Sequence, residues 1–109
     1  LIAEDNNLQS VLLRYLFVKK FKIDESRIDF FTDGQQALTA ITNSLERHLN
    51  NPQSCANYSL ILSDLHMPVM KGDKVHSKMI ELYKRALLKP PTFVIFTALF
   101  QDSDFVSNL

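Results

Sequence analysis

The chain has 109 residues, of which 46% are apolar, and its twelve basic and twelve acidic residues give a formal net charge of zero. This length and composition fit one small domain with one hydrophobic core and exclude a disordered chain. The balanced charge gives no sign of nucleic-acid or membrane-surface binding. With two glycines and the single Cys55, the sequence excludes a dinucleotide fingerprint, a phosphate-binding glycine loop and a cysteine metal cluster.

Two strand–helix pairs are predicted in the first half of the chain. Residues 1–3 form an apolar strand that ends at the acidic pair Glu4 and Asp5, and one of the asparagines that follow caps a helix. Apolar residues recur in that helix at spacings of three and four, which predicts one apolar face. That face comprises Leu8, Val11, Leu12, Tyr15 and Leu16. A second strand covers residues 28–31 and leads through a turn into a second helix. Its inward face comprises Ala37, Leu38, Ile41 and Leu45.

The second half of the chain repeats the pattern after a polar stretch. Residues 46–58 are typical of a loop, and we expect a surface insertion there. The apolar run that ends at Asp64 is typical of a strand buried on both faces. Residues 74–88 form a third helix, and residues 92–96 form a fourth strand that Thr97 closes. The third helix turns four residues inward, namely Val75, Met79, Leu82 and Ala86.

Strand followed by helix four times predicts an α/β fold with a doubly wound, flavodoxin-like parallel sheet. In this fold the strand order is 2-1-3-4(-5). Residues 1–109 then form a single domain. Because the first strand begins abruptly and the last predicted helix is incomplete, we expect the domain to belong to a longer protein.

Polar side chains follow three strands that are neighbours in this order: Glu4 and Asp5 after the first, Asp64 after the third and Thr97 after the fourth. The carboxyl ends of parallel strands are where ligands collect in such sheets. Carboxylates packed together repel one another unless one is protonated or a cation lies among them. A hard divalent ion such as Mg²⁺ satisfies this demand with oxygen ligands. A carboxylate cluster beside a hydroxyl suits phosphoryl transfer, in which the hydroxyl donates to a phosphoryl oxygen.

The residues after Asp64 indicate a shaped loop. Pro68 disfavours helical geometry in the residue before it, and Gly72 permits a turn. The run from Asp64 to Gly72 has the pattern Asp-x-x-Met-Pro-x-x-x-Gly. With residues 2–6 and 93–98, this run resembles the receiver domain of two-component signalling proteins, which are response regulators and hybrid histidine kinases. The likeness extends over essentially the whole chain, in the same order of elements.

The resemblance implies a role for each strand-end residue. Asp64 is implied as the phosphoacceptor and Thr97 as the hydroxyl that switches position afterwards. Asp5 is implied as a direct Mg²⁺ ligand, with Glu4 beside it and acting through water. Asp64 and the backbone carbonyl of His66 complete the implied protein ligands.

The same resemblance implies a place in a phosphorelay. The phosphoryl group would come from phosphohistidine on a histidine kinase or a histidine phosphotransfer protein, and the domain would then change conformation to transmit a signal. A cytoplasmic location follows, or the cytosolic side of a membrane-anchored parent, which we expect to be a hybrid histidine kinase or a response regulator. No contact of this domain with nucleic acid or membrane is implied.

The sequence departs from the family pattern at two points. Lys71 stands where an acidic residue is common, and the second departure leaves alternatives open. The family lysine that pairs with the phosphoryl group would fall beyond Leu109, together with strand five and helix five, and Lys89 precedes strand four and cannot replace it. A degenerate receiver that serves only as an interaction module is therefore a second hypothesis. A third is a phosphatase of the haloacid-dehalogenase type, but such sites need a second acid where this chain has His66.

Overall fold

The structure, a computed structural model, describes residues 1–53 and 57–96. Four strands form one all-parallel sheet in the order β2-β1-β3-β4. The strands are β1 (Ile2–Ala3), β2 (Phe30–Phe31), β3 (Leu60–Asp64) and β4 (Thr92–Phe96). The order and the parallel pairing confirm the predicted doubly wound, flavodoxin-like α/β sheet for the four strands.

Three α-helices connect the strands. They are α1 (Asn7–Tyr15), α2 (Gly34–Asn50) and α3 (Gly72–Arg85). Asn6 caps α1 by accepting from the amide of Gln9 at 3.1 Å, and Asp33 caps α2 by accepting from the amide of Gln36 at 2.7 Å. These caps satisfy amides that the first helical turn leaves without partners. A π-helical turn extends α1, and a short 3₁₀ turn precedes β2.

The hydrophobic core lies between one face of the sheet and the pair α2 and α3. The predicted inward faces of these helices are confirmed, because Ala37, Ile41, Val75 and Met79 are fully buried. Tyr83 is also fully buried; its hydroxyl donates to the side chain of Asn57 at 2.9 Å. A buried tyrosine needs a partner for its hydroxyl, and this distant asparagine could not be identified from the sequence.

The opposite face of the sheet is more open than the sequence predicts. The apolar face of α1 is exposed, and the one buried residue of that helix is Gln9. Residue Leu60 of β3 is 37% exposed, so the expectation of a strand buried on both faces is wrong. A cavity of about 550 Å³ lies on this side, with Ile2, Phe17 and Leu62 among its lining residues. On the same side, Val94 of β4, which pairs with Leu62, is also exposed.

Two helix boundaries differ from the sequence expectation. The predicted loop over residues 46–58 is wrong for its first part, because α2 continues to Asn50. Pro52 then disfavours helical geometry in the residue before it. Helix α3 ends at Arg85, earlier than expected, because Leu87 adopts a left-handed φ of 57°. Within the described parts of the chain, none of the helices combines the length and apolar character needed to cross a bilayer.

Candidate metal centre

The sheet brings three carboxylates to one edge. Ala3 at the end of β1 pairs with Ser63 of β3, so the residues that follow them meet. Carboxylate oxygens of Glu4, Asp5 and Asp64 all lie within 4.8 Å of one another. We call these three residues the acidic cluster. The predicted convergence of the strand-end acids is confirmed, and the cluster could hold a metal ion.

Burial makes the charge of Glu4 unfavourable. Glu4 and Asp64 are each only 2% exposed, whereas Asp5 is exposed. Loss of hydration raises the pKa of Glu4 from 4.5 to about 7; the amide of Asn6 opposes this rise and the charge of Asp64 adds to it. A carboxylate in such surroundings is neutralised by a proton or by a neighbouring cation.

The two carboxylate oxygens of Glu4 differ in their hydrogen bonding. Its Oε1 accepts from the backbone amide of Asn6 at 3.0 Å. Its Oε2 is buried and accepts no hydrogen bond from the described residues; a proton held between Glu4 and Asp64 would pair it, and this interaction adds to the rise in the pKa of Glu4. Buried polar atoms are nearly always paired, because an unpaired one costs free energy. The position of Glu4 Oε2 beside two more carboxylates also fits a divalent cation with oxygen ligands.

Backbone contacts orient Asp64. The amide of His66 donates to Oδ1 of Asp64 at 3.1 Å, and the hydroxyl of Ser63 donates to the Asp64 carbonyl at 3.0 Å. The His66 amide therefore fixes the orientation of the Asp64 carboxylate. The side chain of His66 is exposed. The role of its backbone carbonyl as a metal ligand stays a prediction.

The loop after Asp64 closes against the start of α3. Gly72 donates from its amide to the carbonyl of Leu65 at 3.0 Å. A Cβ on Gly72 would lie 2.5 Å from the carbonyl oxygen of Asp64. Gly72 is therefore needed for this close approach, and it is the first residue of α3 instead of the expected turn residue.

The predicted hydroxyl partner of the cluster cannot be placed. Thr97 lies outside the described residues, and its role as the switch hydroxyl stays a prediction. Phe96, the last described residue of β4, pairs with Asp64. Lys89 precedes β4 and therefore lies toward the opposite edge of the parallel sheet, as expected.

Sequence reasoning missed two residues that hold the cluster. Asn6 supplies the amide that binds Glu4, and Ser63 supplies the hydroxyl that binds the Asp64 backbone. For Ser63, the available signal was a serine next to an acid at the end of an apolar run.

Comparison of the chain with protein-family models gives no match, and no curated protein or solved structure matches it either.

Proposed function

We propose that this protein is the phosphoacceptor domain of a two-component phosphorelay, with Asp64 as the residue that accepts the phosphoryl group. The observation that carries the proposal is the acidic cluster, in which a buried Glu4 oxygen that accepts no hydrogen bond from residues 1–53 and 57–96 lies beside Asp64 and Asp5. The pattern Asp-x-x-Met-Pro-x-x-x-Gly, from Asp64 to Gly72, supports the same assignment.

Mg²⁺ is the cation that we assign to the cluster. Asp5, Asp64 and the carbonyl of His66 would bind it directly, and Glu4 would act through water. When bound, Mg²⁺ offsets the negative charge that gathers on a transferring phosphoryl group. It would also offset the free-energy cost of burying an ionised Glu4, because a nearby opposite charge favours the charged form of a carboxyl group.

The proposed step is a transfer from phosphohistidine to Asp64. A carboxylate oxygen of Asp64 attacks phosphorus, and the phosphorus–nitrogen bond breaks as the oxygen–phosphorus bond forms. The imidazole nitrogen keeps the bonding electron pair and leaves as neutral imidazole, with its proton on the other ring nitrogen. The product on Asp64 is an acyl phosphate, whose charge is about −2 where the carboxylate had −1.

The partner would be a histidine kinase or a histidine phosphotransfer protein. The Thr97 hydroxyl would turn toward the phosphoryl group and donate to one of its oxygens. The conformational equilibrium of the domain would then shift. A cytoplasmic location accords with this partner and belongs to the same proposal.

Labelling with a small acyl phosphate tests the proposal without the partner. The protein is incubated with acetyl phosphate with and without Mg²⁺, and intact mass reports the number of phosphoryl groups. We expect one group, dependent on Mg²⁺ and lost on chelation. Asp64→Asn should abolish the labelling, whereas Asp73→Asn, which changes an exposed acid in the first turn of α3, should keep it. Labelling that persists in Asp64→Asn would refute the assignment.

A further inference from the structure

The start of α2 touches the loop that follows Asp64. The amide of Gly34 donates to the carbonyl of Pro68 at 3.2 Å. A Cβ on Gly34 would lie 1.9 Å from the carbonyl oxygen of Met70. No side chain fits in that space without a backbone shift. Glycine is therefore required at the first position of α2 for a reason that concerns the loop and not the helix.

The loop is strained at the same point. Val69 has a φ of 69°, which a β-branched residue rarely adopts. The amide of Met70 donates to the carbonyl of Pro68 at 2.7 Å, so the three residues form a γ-turn with positive φ, a rare and strained form. The side chain of Val69 is 81% exposed. Because the Val69 side chain does not hold the turn by packing, its support comes from the backbone contact with Gly34 and from Met67 and Met70, which pack in or against the core on either side of it.

The γ-turn lies between two residues that touch Asp64. On one side, the amide of His66 holds the Asp64 carboxylate at 3.1 Å. On the other side, Gly72 lies against the Asp64 carbonyl. A shift of the turn would therefore reach the carboxylate through His66 and the backbone through Gly72.

We propose that Gly34 is a positioning residue for the acidic cluster. By clamping the γ-turn at Val69, it fixes the loop that holds the Asp64 carboxylate in place. The start of α2 and the metal centre are then mechanically coupled, although Gly34 itself is not one of the cluster residues. The inference depends on the proposed function only where Mg²⁺ affinity is its readout.

The direct test compares Gly34→Ala with two controls on the same helix. Gln35→Ala changes the exposed neighbour, and Ile41→Val removes one methylene from the core and lowers stability without touching the loop. In metal-free protein, the nuclear magnetic resonance shift of the His66 amide reports the geometry at Asp64. A Mg²⁺ titration then gives the dissociation constant of each variant.

We expect Gly34→Ala to move the His66 amide signal and to weaken Mg²⁺ binding roughly tenfold or more, the range found when residues that orient metal ligands are changed. Both controls should keep the wild-type signal and affinity. A Gly34→Ala protein with wild-type values of both would overturn the proposal. If the wild type binds no Mg²⁺, the assigned metal is wrong. The clamp is then tested only by whether Gly34→Ala moves the His66 amide signal in metal-free protein.

If Gly34→Ala does not fold, a second variant, Val69→Gly, tests the clamp instead. Val69→Gly lies at an exposed position, so we expect its melting temperature to stay close to that of the wild type. Glycine adopts a positive φ without strain, and the contact between Gly34 and the loop backbone is unchanged in this variant. We therefore expect hydrogen exchange at the Met70 amide to be no faster than in the wild type, and Mg²⁺ binding to be unchanged. Faster exchange together with weaker binding would show that the Val69 side chain holds the turn, and would contradict the clamp.

Discussion

Replacing Glu4 by glutamine should change how stability depends on pH. Glutamine keeps the size of the side chain and an acceptor for the Asn6 amide, but it cannot ionise. The pKa of Glu4 is about 7 in the folded protein, against an ordinary value of 4.5. The folded protein thus binds this proton more tightly than the unfolded chain does. Glu4 therefore lowers the free energy of unfolding progressively as the pH rises from about 4.5 to about 7.

The size of the effect follows from the pKa difference. At about 1.4 kcal/mol per pKa unit, ionised Glu4 costs at most about 3–4 kcal/mol of stability above pH 7. In metal-free buffer, Glu4→Gln should match the wild type near pH 4 and be more stable by up to about 3–4 kcal/mol at pH 8. Mg²⁺ at a hundredfold excess over its dissociation constant should return about 2.7 kcal/mol to the wild type.

Urea denaturation followed by circular dichroism measures this difference, provided that the slope of free energy against urea is the same in both proteins. The comparison of variant with wild type cancels the titration of the other carboxyl groups. Glu46→Gln, which changes an exposed residue of α2, should follow the wild type at every pH. Parallel pH profiles of the Glu4→Gln and wild-type proteins in metal-free buffer would refute the reasoning.

Three further substitutions test other contacts, each by urea denaturation. Gly72→Ala should lose about 1–3 kcal/mol, because its Cβ would lie 2.5 Å from the carbonyl of Asp64; a fully stable variant would contradict this close approach. Tyr83→Phe should lose about 1 kcal/mol with the hydrogen bond to Asn57, and an unchanged value would show that the bond contributes nothing. Asp33→Ala should lose about 1 kcal/mol with the cap of α2, whereas Asp33→Asn should retain most of it.

The sheet and its acidic edge could be predicted because they depend on local pattern and strand order. The short apolar run that ends at Asp64 identified both a strand and the acid presented by it. Once the strand order was set, Glu4 and Asp5 had to lie at the same edge. These inferences use only alternation of elements and the geometry of parallel sheets.

Other features depend on contacts between distant segments and left no clear signal in the sequence. Glu4 and Asp5 are adjacent in the sequence and look equivalent there, yet Glu4 is buried and Asp5 is exposed. The approach of Gly34 to Met70 depends on how the segment before α2 packs on the loop after Asp64. From the sequence alone, Gly34 could equally have been an ordinary turn residue. The apolar face of α1 has a helical spacing that predicts a helix correctly, but spacing does not reveal what covers that face.

The most direct test of the central claim is where a bound cation lies. Mn²⁺ also prefers oxygen ligands and broadens nearby amide signals in a nuclear magnetic resonance spectrum, so it can report the position of a Mg²⁺ site. The amides of Asp5, Asp64 and His66 should broaden first at low Mn²⁺ concentration, and excess Mg²⁺ should reverse the effect. Broadening that is centred elsewhere, or that is the same in Asp64→Asn, would contradict a metal centre at the strand ends.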